Sequence, residues 1–322
     1  MEPILKVENL KTFFPVATSM FGKKKYLKAV NDVSFEVFEN ETFGLVGESG
    51  CGKSTLGRTI VKIYEPTDGK VWFEGKDVST IKGDELKKFR KDAQMIFQDP
   101  YASLNSRMTV GEIIREPMDI HDLYPTSKEK DEKASELLEI VGLKPDHIRR
   151  YPHEFSGGQR QRISIARTLA LNPKFIVCDE PISALDVSIQ AQIINLLEKI
   201  QEERNISYLF IAHDLGAVKH ISDRIGAMYL GSLVEVGESN ELYRNPLHPY
   251  TRALLSAIPI PDPHLMRNRE IAAIDGEIPS PLNVPSGCAF RTRCPMAMEV
   301  CAKDTPKLRK VGNSQVACHL YD

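Results

Sequence analysis

An α/β fold, built as a mixed sheet with an antiparallel edge and a helical insertion, is what this sequence predicts, and three observations carry the prediction. Residues 47–54 read Gly47-Glu48-Ser49-Gly50-Cys51-Gly52-Lys53-Ser54, a full match to G-x-x-x-x-G-K-[ST], set between an apolar strand (Phe43, Leu45, Val46) and a helix starting at Ser54. Short β-rich segments (Ile4–Val7, Val33–Phe38, Thr42–Val46, Val71–Phe73) come before alternating strand and helix patterns, which places an antiparallel element beside an α/β sheet. Phe175-Ile176-Val177-Cys178 and Tyr208-Leu209-Phe210-Ile211-Ala212 are unbroken apolar runs, as expected of strands buried on both faces.

The glycine-rich motif is a phosphate-binding loop, so the fold is expected to be that of a P-loop NTPase. Its glycines let successive backbone N–H groups turn inward around phosphates, Lys53 adds a point charge, Ser54 is placed to ligate Mg²⁺, and the new helix offers its positive end. The strand ending at Asp179-Glu180 supplies an aspartate to organise Mg²⁺ and a carboxylate to orient water at the γ-phosphate. Between these motifs, Ser156-Gly157-Gly158-Gln159 forms a turn opening a helix, with N–H groups free for another phosphate.

The rest of the chain fits around this centre. Residues Val110–Met118, Ser127–Val141 and Gly158–Ala170 have helical spacing, so residues 100–160 are expected to form a helical insertion. Prolines crowd beyond residue 245 (Pro246, Pro249, Pro259, Pro261, Pro263, Pro279, Pro281, Pro285), which marks a loop-rich extension. The expected division is therefore a nucleotide-binding domain over 1–245 and an extension over 246–322, with no internal repeat.

Composition excludes several classes. At 322 residues and 42% hydrophobic, the chain is long enough for a sizeable core. With Lys+Arg 42 against Asp+Glu 44, the formal charge of −2 gives no basic field for nucleic acid, and Lys23-Lys24-Lys25 and Arg149-Arg150 read as solvated surface. No signal-peptide pattern follows Met1, and no run reaches the ~18 to 20 apolar residues a membrane crossing needs.

The order of these marks resembles the ATP-binding cassette (ABC) ATPases. Ser156-Gly157-Gly158-Gln159 matches their signature turn and Asp179-Glu180 their Walker B end. Gln98 matches the Q-loop glutamine, Ser183-Ala184-Leu185-Asp186 the D-loop, and His213 the switch histidine. The resemblance implies ATP and Mg²⁺ as cofactors, with nucleotide contacts from Gly47 through Thr55 and from Ser156 to Gln159 and Asp186 across a head-to-tail pair of cassettes. It implies that Ser54, Asp179 and Gln98 serve Mg²⁺, that Glu180 polarises water, that His213 senses the γ-phosphate, and that a lone chain hydrolyses poorly. It also implies an aromatic residue stacked on adenine, for which Tyr26 is the first candidate and Phe21 the second.

Cys51 and Cys178 read as small residues that fit their sites. Four thiols remain at Cys288, Cys294, Cys301 and Cys318, spaced C-x5-C-x6-C-x16-C, without the paired C-x2-C of common zinc ribbons. In a chain without secretory marks they suggest a metal or cluster site over disulfides, and His319 stands beside them. This tail, with Asn245-Pro246-Leu247-His248-Pro249-Tyr250-Thr251 before it, resembles the C-terminal extension of oligopeptide/dipeptide permease ATPases. The run Asp179 to Gln190 is closer to their second, F-type ATPase. That resemblance implies a [4Fe-4S] cluster on the four cysteines, with Zn²⁺ or bare thiols as alternatives. It also implies a peripheral place on the cytoplasmic face of the membrane. The partners would be two membrane-spanning permease subunits, a paralogous second ATPase and an extracytoplasmic substrate-binding protein. Two other classes stay open at this point: a soluble cassette acting on nucleic acid or ribosomes, and a kinase, in which Ser156-Gly157-Gly158-Gln159 would have no task.

Overall fold

The computed structural model describes residues 2–16, 25–257 and 276–322; Phe21, Lys23, Lys24, Pro259, Pro261 and Pro263 lie outside the described residues. Five parallel strands form its centre, in the spatial order β9 (Arg224–Tyr229), β3 (Thr42–Val46), β8 (Ser207–Ile211), β7 (Phe175–Asp179) and β6 (Ala93–Ile96). Every residue of β3, β7 and β8 is buried, which explains their apolar runs. Parallel strands put their carboxyl ends on one edge, and ligand sites in open α/β sheets form at that edge.

A second, antiparallel sheet has the order β2 (Lys25–Val37), β1 (Leu5–Val16), β4 (Asp68–Phe73), β5 (Lys76–Asp77). β1 runs well past the expected Ile4–Val7. Its register against β2 shifts at three places, and Asn9 takes φ 47°, so the alternation that signals a strand is interrupted after Val7. Helix α1 (Lys53–Ile60) lies between the two sheets, with Leu56 and Ile60 in one cluster with Val7 and Leu10 on one side and Val177 and Leu209 on the other.

The opposite face of the main sheet carries the helical insertion, with α2 (Gly83–Asp92) preceding it on the way into β6. Within the insertion lie α3 (Pro100–Ser103), α4 (Val110–Ile120) and α5 (Ser127–Ile140), and α6 (Gly157–Leu169) returns the chain to the sheet. α4 and α5 each begin in a capping box, Thr109 with Glu112 and Thr126 with Glu129. Ile113, Leu137, Leu138 and Ile163 join Ile176, Ile193 and Leu197 in a single core, the last two from α7 (Val187–Arg204).

The extension beyond residue 245 is built into the main sheet. β10 (Ser232–Glu238) pairs antiparallel with β9, and β12 (Ser314–Val316) then pairs with β10 through Glu235 to Val316 and Val236 to Gln315; β11 (Arg309–Val311) completes the edge. α8 (Leu215–Ile221) precedes β9, and α9 (Ser239–Arg244), α10 (Pro249–Ser256) and α11 (Val300–Lys303) lie between β10 and β11. The expected boundary at residue 245 is thus crossed by one continuous sheet. Phe290 packs its ring against Tyr229, Tyr250 and His248 at centroid distances of 5.2, 5.5 and 5.7 Å, and buried Glu235 accepts hydrogen bonds from the backbone N–H groups of Leu247 and His248 at 2.7 and 2.9 Å.

His248 is 1% exposed, and its Nδ1 accepts the Tyr250 N–H at 3.0 Å. Burial first, then the charge of Arg252, lowers its pKa from 6.5 to about 3. The folded chain keeps this ring neutral while the unfolded chain protonates it, so stability falls as pH drops below the ordinary imidazole value. His248→Gln should flatten that slope: between about pH 6.5 and about pH 5 the native protein should lose about 2 kcal/mol more than the variant, read from urea unfolding at each pH.

Candidate functional site

The phosphate loop leaves β3 at Gly47, where φ is 154° and a Cβ would lie 2.2 Å from the Met228 carbonyl oxygen. At Gly52 φ is 107° and a Cβ would meet the Ala29 carbonyl oxygen at 1.9 Å. These positions accept only glycine, because both the backbone angle and the neighbouring main chain forbid a side chain. The Gly231 N–H donates to the Cys51 carbonyl at 2.8 Å and so ties the turn after β9 to the loop.

Lys53, 4% exposed, donates to the carbonyls of Gly47 and Glu48 at 2.7 and 3.1 Å and reaches Cys51 Sγ at 3.7 Å. Ser54 Oγ donates to Asp179 Oδ1 at 2.6 Å. Asp179 is fully buried, and that burial raises its pKa against the opposing pull of Ser54 and Arg58. Its Oδ2 has no hydrogen-bond partner and lies 3.5 Å from Arg58 Nη2. A buried carboxylate oxygen that accepts no hydrogen bond is costly, and the Arg58 ion pair offsets that cost only in part; with the Ser54 hydroxyl beside it, the carboxylate forms an oxygen donor pair suited to Mg²⁺. The residues present fit that ion.

Glu180 follows at φ 49°, a left-handed conformation that costs a non-glycine residue about 1 kcal/mol or more. The Glu180 N–H is fixed to the Ile211 carbonyl at 2.9 Å. The turn carries the carboxylate to Gln98 Nε2, which donates at 2.8 Å, and to His213 Nδ1 at 3.6 Å. Three residues separated by long stretches of sequence therefore meet at the ends of β6, β7 and β8.

A cavity of about 290 Å³ opens here, lined by Ser49 to Thr55, Gln98 and Glu180, with Leu27, Lys28 and Ala29 from β2, Leu230, Gly231 and Pro281. Tyr26 does not line it; the side chain is 49% exposed on β2, and its neighbour Leu27 faces the cavity in its place. Ser156, Gly157, Gly158, Gln159 and Asp186 also lie outside the cavity. Ser156 caps α6 in a box with Gln159, and Asp186 caps α7 without a side-chain bond.

Sequence reasoning did not anticipate Arg58, Pro281 or the contacts of the extension with Glu48. Arg58 had a usable signal: it stands one helical turn after Ser54 and so shares its face. The tail thiols gather in one place. Burial raises Cys288 to about 11, and Cys301, Cys318 and Cys294 add to the shift. Yet among the described residues no group of three or more His, Cys, Asp or Glu side chains converges to hold a metal ion, so the expected cluster site finds no support in this arrangement. His319 instead contacts Asp322 and the Asp304 carbonyl.

Gly52→Ala is expected to weaken MgATP binding at least about 10-fold and to lower the unfolding midpoint, since the new methyl displaces either the loop or the Ala29 strand. Equilibrium nucleotide titration alongside thermal unfolding checks both.

Known proteins give this geometry its family. Residues 30–183 match the model described as ABC transporter, and residues 234–301 match the model described as oligopeptide/dipeptide transporter, C-terminal region. A putative oligopeptide transport ATP-binding protein, YkfD, of Bacillus subtilis is 60% identical over 99% of this chain and 96% of its own. The oligopeptide transport ATP-binding protein OppF of Salmonella typhimurium is 54% identical over 99% and 96%. Among solved structures, the ATP-binding cassette MJ0796, in a dimeric post-hydrolysis state bound to ADP and Pi, covers 73% of this chain and 98% of its own at 28% identity and a TM-score of 0.65. With its phosphate loop, Gln98, Asp179, Glu180 and His213 assembled at one sheet edge and its extension matched to the same transporters, this chain belongs to the ATP-binding proteins of the oligopeptide/dipeptide ABC transporter family.

Proposed function

We propose that this chain is the ATP-hydrolysing subunit of an importer for di- or oligopeptides or a related small solute, acting at the cytoplasmic face of the membrane. The single observation that carries the ATPase part is the contact of Ser54 with buried Asp179, whose second carboxylate oxygen accepts no hydrogen bond, set beside Lys53 in the phosphate loop. Among the described residues no helix is long and apolar enough to cross a membrane, which fits a subunit that works with two separate permease chains. Peptide as the cargo rests on the printed names of the relatives and on the C-terminal match.

ATP would supply the phosphoryl group, and Mg²⁺, when bound, would supply positive charge against the phosphate oxygens. Lys53 and the loop amides neutralise and orient the phosphates, while Ser54 and Asp179 hold the cation with Gln98 nearby. Glu180 orients the attacking water, so that ATP and water give ADP and phosphate. Gln98 and His213 fix the Glu180 carboxylate, and His213 answers to the γ-phosphate. Ser156 to Gln159 and Asp186 lie outside this chain's own cavity, with Ser156, Gly157 and Asp186 exposed, and are assigned to a facing cassette's nucleotide. Val187, next to Asp186 and 81% exposed, supports a covered surface there. The facing cassette is proposed to be a paralogous ATPase, and an extracytoplasmic binding protein is proposed to deliver the cargo.

The four tail thiols are proposed as cluster ligands on donor chemistry alone, since four thiolates suit [4Fe-4S], with zinc the alternative. No step of hydrolysis passes through them.

Two outcomes test the reading. Glu180→Gln should keep nucleotide binding and lower hydrolysis by the complete complex about 100-fold or more; unchanged turnover overturns the assignment. Tagged chain purified from mild-detergent membranes should bring two multi-spanning subunits and a second cassette ATPase, with iron and acid-labile sulfide in the preparation. Recovery of ribosomal or repair proteins without membrane subunits overturns the importer, and zinc without sulfide overturns the cluster.

A further inference from the structure

Glu48 places a carboxylate on the second residue of a loop that must attract phosphates, where a free negative charge would oppose binding. The structure gives it a partner from far along the chain. Arg293 Nη1 donates to Glu48 Oε2 at 2.7 Å and Arg293 Nη2 to Oε1 at 2.9 Å, a two-pronged ion pair of the planar kind that guanidinium forms best. The Arg293 side chain is 6% exposed and that of Glu48 21%.

Both ends of this contact are anchored. The guanidinium lies 5.9 Å from the Tyr229 ring centroid, and the Arg293 N–H donates to the Phe290 carbonyl at 2.9 Å, beneath which Phe290 packs on Tyr229 and Tyr250. The Glu48 N–H donates to Tyr250 Oη at 2.8 Å, and that hydroxyl donates to the Met228 carbonyl at 3.3 Å. The Glu48 carbonyl accepts from Lys53 Nζ at 3.1 Å and from the Cys51 N–H at 3.2 Å. Every polar group of this residue is thus held, and Arg293 and Tyr250 both come from beyond residue 245.

We infer that Arg293 is a positioning residue for nucleotide binding: through Glu48 it fixes the entry of the phosphate loop and cancels a carboxylate charge that would otherwise repel the triphosphate. The inference rests on the reading of the cavity as an ATP site. Arg293 does not line that cavity and acts only through Glu48. Its hydrogen bonds to the carboxylate raise the guanidinium pKa. A loop held before the ligand arrives has less ordering to do on binding, which is how preorganisation raises affinity.

The test is equilibrium titration of the full chain with a fluorescent MgATP analogue, beside thermal unfolding of each variant. Native chain that fails to bind overturns the ATP reading itself, independently of Arg293. Given native binding, Arg293→Met should raise Kd about 10-fold, and Arg293→Lys should fall between, because an ammonium cannot reproduce the fork. Adding Glu48→Gln to Arg293→Met should recover most of the lost affinity by removing the exposed charge, a recovery that a purely structural arginine would not give. Native Kd in folded Arg293→Met, or no recovery in the double variant, overturns the inference. If Arg293→Met does not fold, Arg293→Lys decides, and unchanged affinity in that variant overturns it.

Discussion

The contact between Ser54 and Asp179 is the constraint on which the rest of this structure depends. It joins the end of β3, through the phosphate loop, to the end of β7, with β8 lying between the two strands. The hydroxyl and the buried carboxylate sit 2.6 Å apart because both strands are fully buried and run parallel, which brings their ends level. The apolar residues Phe43, Leu45 and Val46 and the runs Phe175 to Cys178 and Tyr208 to Ala212 are the sequence's answer to that demand. The helical insertion then covers one face of the sheet, and α1 with the antiparallel sheet covers the other.

The same constraint explains which parts of the site could be read from the chain. The phosphate loop is contiguous, and its glycines answer to local backbone angles, so sequence alone located it. Asp179 and Glu180 end an apolar strand and were equally legible. Gln98 and His213 carry little information singly; their meeting at Glu180 is a product of strand order, which short-range pattern does not encode. Tyr26 stands outside the cavity, which Leu27, Lys28 and Ala29 of the same strand line. β1 was under-read because its bulges break the alternation.

The extension was the least legible region. Prolines announced loops, and loops there are, but two short strands of three residues each escaped notice among them. Nothing near Arg293 in the sequence marks it, since its partner lies 245 positions away. The cysteine spacing drew attention to the thiols and away from Phe290 and Arg293 between them, which make the aromatic and ionic contacts to the catalytic sheet. The match of residues 234–301 to a transporter C-terminal region therefore covers a part of the chain that shapes the nucleotide site as well as following it.

The pairing of β12 with β10 bears on how the polypeptide matures. Until residues 314–316 have been synthesised, the backbone of Glu235 and Val236 presents an unpaired sheet edge, the kind of surface that invites strand addition by another chain. Until residue 293 has emerged, Glu48 lacks its counter-ion. Contacts across such long separations form slowly, so the nascent cassette passes through a stage in which its sheet is largely assembled, its edge is open and its phosphate loop is unclamped. A ribosome that stalls late on this message would release a product with every nucleotide motif present and the edge strand missing.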